Sequence, residues 1–287
     1  MTRINALPPM PEALARIWQM VDNPRTDAGQ LADVVSGDPG LAAELLKLVN
    51  SSYFGLGRPV ASVRESISLV GFEAVKNLSI TIVVRNGLLP RDRAFDSFDR
   101  VDFWRHCVGT GIATEILSQT LRVATPENAF AAGLLHDAGI MVIDLVEPES
   151  LDRLVEATDA GTPIEEADLE VLGCTHGEIG RWLAEAWHFP DSLVEPIAHH
   201  HDPLRASPEQ QRLACLVSLA DMLMSPPGRA YYGAEPPEQD DPVLARLGMD
   251  VPGLLAIREI ALLRLGHANE ILEIGDGVLD DAQRKAA

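Results

Sequence analysis

Apolar residues recur every three to four positions along most of this 287-residue chain, and alternating apolar–polar runs are scarce, so the pattern predicts helices throughout, an all-α fold. Leu14, Ile17, Trp18 and Val21 fall on one stripe. Asp38-Pro39 pairs a cap with a proline at the first helical position, and Leu41, Leu45, Leu48 and Val49 follow on one face. Ser62 to Glu65 reads as a capping box, and an apolar helix from Val75 to Val84 is expected after Gly71. A long helix should start near Phe98 and carry Trp104, Val108, Ile112 and Ile116 inward. Thr125-Pro126-Glu127 opens the segment AFAAGLLHDAG. Thr175 to Glu178 forms another capping box, with Ile179, Leu183 and Ala186 continuing its apolar face. Ser207-Pro208-Glu209-Gln210 is read as the start of a helix that turns Leu213, Val217, Ala220 and Met224 inward, and a last helix is expected from Gly253 to His267.

Breaks in the pattern divide the chain. The stretch Arg85 to Arg100 is polar, charged and contains a proline, which places a boundary there. An N-terminal helical subdomain (1–90), a second helical domain (91–275) and a polar tail (276–287) are expected. Proline and glycine cluster at 226–252, which reads as a long irregular segment, and no fixed-period repeat is visible. The start, MTRINALPPMPEAL, has no apolar core of a secretory signal, and no window of 18 residues is continuously apolar, so neither export nor a membrane span is expected.

Composition narrows the classes. With 46% hydrophobic residues and a mean hydropathy of +0.05, the chain can bury a sizeable core, which excludes disorder. A net charge of -20 repels a phosphate backbone and argues against nucleic acid as a partner. Cys107, Cys174 and Cys215 are odd in number and widely spaced, with no C-x-x-C pair. They read as core residues in a reducing cytoplasm rather than as disulfide partners or metal ligands.

The eight histidines carry the candidate chemistry. His136-Asp137 sets an imidazole beside a carboxylate at the edge of an apolar helix, a suitable donor pair for a divalent metal. His106 lies mid-helix in apolar company, a ligand or a hydrogen-bonded core histidine. His176 occupies a first helical turn, open equally to a surface histidine. His199, His200 and His201 end a short helix, where a solvated terminus is the plain alternative. Asp221 borders an inward face, where a carboxylate must be paired, capped or metal-bound. The order H…HD…H…HH…D is far less expected by chance than any member alone.

On these residues the chain resembles the HD superfamily of metal-dependent phosphohydrolases. His176 within THGEIG and the later histidine pair are similar to its HD-GYP branch of cyclic-dinucleotide phosphodiesterases. The likeness to HDOD proteins is broader, through LPPMPEALARIWQMV, VVSGDPGLAAELLKLVNSSYFG and VASVRESISLVGFEAVKNLSI in the N-terminal part. FAAGLLHDAGIMVI, LGCTHGEIGRWLAEAWHFPDSLVEPIAHHHDP and LVSLADMLM carry it in the C-terminal part. The resemblance implies an HD-like metal-binding domain at 91–275 and the ligand set His106, His136, Asp137, His176, His200, His201 and Asp221. His199 and His200 form the alternative register of the pair. The implied cofactor is iron or manganese, one or two ions; zinc or nickel would also suit nitrogen and oxygen donors.

The chain departs from HD-GYP enzymes at two points. Ile140 stands where they carry a phosphate-holding lysine, and His201 is followed by Asp202-Pro203-Leu204 rather than the GYP signature. Three readings stay open. One is a cytoplasmic signalling module acting through ligand and protein-partner binding, in which site occupancy would reposition the N-terminal helices. The second is an active phosphohydrolase on a nucleotide or cyclic dinucleotide, with Asp137 bridging the metals and Arg105, Arg181, Arg205 and Arg212 as the nearest cations in sequence. The third is a metal-free helical domain.

Overall fold

The computed structural model describes residues 7–21, 27–50, 54–89, 98–225, 238 and 240–267, and contains no strand among them. The polar tail at 276–287 lies outside the described residues. The chain divides into two compact units. Of the described residues, one unit takes 10–87 with 264–267, and the other takes 88–263 with 7–9.

The first unit holds α1 (Glu12–Val21), α2 (Ala28–Ser36), α3 (Pro39–Val49), α4 (Val63–Val70) and nearly all of α5 (Phe72–Leu88). Leu14, Ile17 and Trp18 bury the predicted stripe of α1, and Leu41, Leu45, Leu48 and Val49 that of α3. Local hydrogen bonds set the helix starts. Asp38 accepts the Leu41 N–H at 3.1 Å with Pro39 behind it, which orders the first turn of α3. At α4 the Ser62 hydroxyl accepts the Glu65 N–H at 3.2 Å, but the expected reciprocal bond is displaced. Glu65 instead accepts the Ala61 N–H at 3.3 Å and pairs with Arg58, whose charge draws the carboxylate past the cap. The following helix starts at Phe72, earlier than its apolar core at Val75, because Gly71 (φ 96°) ends α4 in a conformation that L side chains rarely adopt.

The second unit holds α6 (Arg100–Leu121), α7 (Pro126–Leu135), α8 (Ala138–Val146), α9 (Pro148–Asp159), α10 (Ile164–Val171), α11 (His176–Ala186) and α12 (Asp191–His199). A 3-10 turn at Pro203–Arg205, α13 (Gln211–Met224), α14 (Pro242–Leu247) and α15 (Val251–His267) follow, the last four residues of α15 grouping with the first unit. The axis of the unit is α6, buried on nearly every side because it packs against both α7 and α13. In turn α8 lies on α11, α11 on α12 and α12 on α13. Glycines let the helices approach closely at these crossings. A Cβ on Gly133 of α7 would sit 2.7 Å from the Thr110 carbonyl oxygen of α6, and one on Gly139 of α8 would be driven into the His176 carbonyl of α11.

Two expectations are corrected here. The segment 226–252 is not irregular throughout: Asp241 caps α14 with Pro242 at its first position, and Gly248 (φ 67°) closes it. Pro242 and Gly248 are helix punctuation rather than loop. Residues 226–237 and 239 lie outside the described residues. The helix expected from Ser207 starts at Gln211, after a turn over Pro208–Gln210 in which the Ser207 carbonyl accepts the Gln210 and Gln211 N–H groups and the Ser207 N–H donates to Glu195 Oε2 at 2.8 Å. Asn128–Val146 is long and apolar enough, by length and composition only, to cross a membrane, though it is interrupted by His136, Asp137 and Asp144. In the fold, 89% of that window is buried within the protein, as the core pair α7–α8.

Candidate metal centre

Helix α7 ends at Leu135, His136 takes its C-cap position, and Asp137 takes the N-cap position of α8. A carboxylate there would ordinarily accept an N–H of the new helix. Asp137 accepts none from α8; its two oxygens face histidines instead. Oδ2 lies 3.2 Å from His136 Nε2 and 3.8 Å from His106 Nε2. Oδ1 lies 3.5 Å from both His176 Nε2 and His200 Nε2.

Two clusters therefore share one carboxylate. On one side, His106 from α6, His136 and Asp221 from α13 converge: the two Nε2 atoms are 3.2 Å apart, and Asp221 Oδ1 is 3.1 Å from His106 and 3.6 Å from His136. On the other, His176 at the start of α11 has Nε2 3.1 Å from that of His200 and 3.1 Å from that of His201. The structure thus brings together all seven residues singled out from sequence. His199 stays outside, with Nε2 3.9 Å from Glu195, which favours the His200–His201 register. All seven are buried except His201, which is half-buried.

The ring orientations are held from behind. His136 Nδ1 donates to the Gly133 carbonyl at 2.8 Å, and His200 Nδ1 to the Ile197 carbonyl at 2.9 Å. His176 Nδ1 donates to Asp168 Oδ2 at 2.5 Å. Each such bond leaves Nε2 with its lone pair toward the cluster. Asp168 was missed in the sequence, where it sits among Glu165, Glu166 and Glu170 and reads as one more solvated acid of α10. In the fold it is fully buried.

Electrostatics follow from this crowding. Burial opposes charge on His136, but the adjoining Asp137 outweighs it and lifts the imidazole to about 10. Burial likewise opposes charge on His176, and Asp168 lifts it to about 9. Asp137 and Asp221 would be raised by burial, yet their histidine partners hold both well below the usual carboxylate range. Burial pushes His200 and His201 down, so these two are neutral donors. Burial also raises the Cys107 thiol, helped by Asp137 and Asp221. All three cysteines are buried and free, and neither cluster includes one.

The donor set fits divalent metal. Imidazole lone pairs 3.1–3.2 Å apart repel unless a proton or cation lies between them. Ligands about 2.1 Å from a shared ion lie roughly 3.0 Å apart at a right angle and roughly 3.4 Å apart at a tetrahedral one, close to the spacings found. Nitrogen with carboxylate oxygen suits iron, manganese or zinc more than a hard all-oxygen cation. Of the four arginines nearest in sequence, Arg105 pairs with Asp102, Arg181 with Glu185 and Arg205 with Asp202, and Arg212 is half-buried on α13. Ile140 is buried in the core.

Comparisons with known proteins agree with this architecture. The model of the HDOD domain family matches residues 7–203. A Treponema pallidum protein of no assigned function is 29% identical over 239 residues, 83% of this chain, which spans only 45% of that relative's length. Ribonuclease Y of Thermus thermophilus is 36% identical over 121 residues, 42% of this chain and 20% of the enzyme. A Marinobacter aquaeolei VT8 structure named for signal transduction superposes with a TM-score of 0.80 at 25% identity, covering 94% of this chain and 60% of its own. An HDOD domain protein of unknown function from Geobacter sulfurreducens gives a TM-score of 0.79 at 21% identity, covering 93% and 94%.

Proposed function

The chain belongs to the HDOD domain family, and from that premise we propose that it is a cytoplasmic signalling module whose buried histidine–aspartate centre holds one or two divalent ions, iron or manganese. It acts by binding a small ligand at that centre and a signalling protein elsewhere. One observation carries the reading: two ligand clusters share Asp137, while three of the four arginines nearest in sequence pair with surface acids. Such a centre has the means to hold metal, and Ile140 stands where a phosphate-holding lysine would be. His106, His136, Asp221 and Oδ2 of Asp137 would hold one ion; His176, His200, His201 and Oδ1 of Asp137 the other. A divalent ion bound there supplies Lewis acidity and lowers the pKa of bound water. The chain's own contribution is to fix the donors, through Gly133, Ile197 and Asp168, and to keep bulk water out of the core side. Coupling of occupancy to the α1–α5 unit would make the module a switch, provided ligand and partner affinities depend on each other.

The alternative is an active phosphohydrolase on a nucleotide or cyclic dinucleotide. The position of Asp137 between the two clusters favours it, since two metals, if held there, would be suited to clamp a phosphate, and so does the likeness to part of ribonuclease Y. The test is elemental analysis of tag-free protein beside His136→Ala/Asp137→Ala, followed by a hydrolysis screen with nucleotides and cyclic dinucleotides. One or two equivalents of iron or manganese, lost in the double variant, with ligand binding but no turnover, supports the module. Turnover above the double variant selects the enzyme. Protein that neither contains nor takes up metal under reducing, anaerobic conditions defeats both.

A further inference from the structure

Asp168 stands apart from every other group around the centre. It comes from α10, which contributes no donor of its own to the clusters. Its side chain is fully buried, with one oxygen accepting two hydrogen bonds from a single residue: the His176 backbone N–H at 2.8 Å and His176 Nδ1 at 2.5 Å. Its other oxygen is buried and makes no hydrogen bond in the structure. Placing an acid there costs folding free energy that a backbone carbonyl would not, since a buried charge is expensive unless well paired. His136 and His200 show the cheaper solution, each held by a carbonyl of its own helix turn. The acid therefore does something for His176 that a carbonyl does not do for the others.

A carboxylate behind an imidazole fixes the Nδ1–H tautomer, aims Nε2 and makes that nitrogen a stronger donor. His176 is also the hub of its cluster, within 3.1 Å of both His200 and His201 and 3.5 Å from the shared Asp137. On this basis we infer that Asp168 is a positioning residue for metal binding: it orients and strengthens His176, and selectively sets the affinity of the ion held by His176, His200 and His201. The inference rests on the metal reading above.

The experiment uses the full chain. Wild type, Asp168→Asn and Asp168→Ala are stripped of metal and titrated with Zn2+, with one isotherm resolved for each ion, while helical content and melting are followed on the metal-free forms. Asparagine keeps one oxygen to accept from His176, removes the charge and puts an NH2 where the other carboxylate oxygen lay. The expected result is one ion weakened about ten- to a hundred-fold in folded Asp168→Asn, the usual cost of losing such a partner, with the other ion far less affected. Nitrogen-15 NMR of the zinc-loaded wild type should show His176 protonated at Nδ1 with a far-downfield, slowly exchanging proton. That signal should be lost or shifted in the variant, a change that a purely structural role for Asp168 does not produce. Folded Asp168→Asn with both affinities and the His176 signal unchanged overturns the inference and leaves the metal reading intact. Equal weakening of both ions, in step with lower stability of the metal-free protein, also overturns it, because Asp168 would then serve only the fold. Wild type that takes up no ion removes the metal reading itself.

Discussion

Gly139→Ala tests whether the crossing of α8 on α11 sets the centre. The added methyl would enter the His176 carbonyl oxygen and lie 2.8 Å from its carbon and 3.0 Å from the Gly180 nitrogen, all backbone atoms. Carbon atoms pack at about 3.5–4.0 Å, so the helices must part by roughly 1 Å. Helix propensity favours alanine by up to about 1 kcal/mol, while overpacking of this kind costs about 1–3 kcal/mol or more. With backbone on every side, the upper end applies, and a net loss of about 2 kcal/mol follows, some 4–8 °C in Tm for a protein of this size. Because Asp137 and His176 flank the crossing, their 3.5 Å spacing widens with it, and metal content should fall as well. Gly40→Ala is the control: its methyl meets only Asp38 Oδ1 at 3.4 Å, so stability should hold or rise. Circular dichroism melts and elemental analysis after reconstitution read both effects. A Gly139→Ala protein that melts with wild type and carries the same metal refutes the claim that this contact spaces the ligands.

The two other expectations concern register and pH. His201→Ala should lower bound metal, whereas His199→Ala should leave it unchanged, since of these two only His201 turns Nε2 toward His176; elemental analysis of the two variants side by side decides it, and a loss confined to His199→Ala would reverse the assignment. In the metal-free protein, His136 and His176 are raised from 6.5 to about 10 and about 9, so the stability they confer is complete below pH 6.5 and is lost as pH climbs through 9 to 10. Melting temperature should fall over that window without metal, while metal uptake should strengthen with pH because the ion displaces those protons. A metal-free protein whose Tm is flat from pH 6.5 to 10 contradicts the charge state assigned to the two histidines.

Much of this protein is written in short-range signals. The Asp38-Pro39 start, the Thr175–Glu178 capping box, with bonds of 2.9 and 3.2 Å, and the α1 stripe depend on residues within two turns of one another, and the sequence carries them intact. The same holds for the inventory of donors, whose order along inward helix faces is visible without coordinates. Punctuation is weaker: Asp241-Pro242 and Gly248 bracket a six-residue helix, yet the same residue types mark loops, so the segment looked irregular. What the sequence could not determine is how the donors meet. The sharing of Asp137 between two clusters, the exclusion of His199 and the burial of Asp168 behind His176 arise where α8, α10, α11 and α12 come together. Ligand distances near 3 Å are fixed by helix crossings between segments far apart in the chain, and no local pattern encodes a crossing; only the packed tertiary structure decides it.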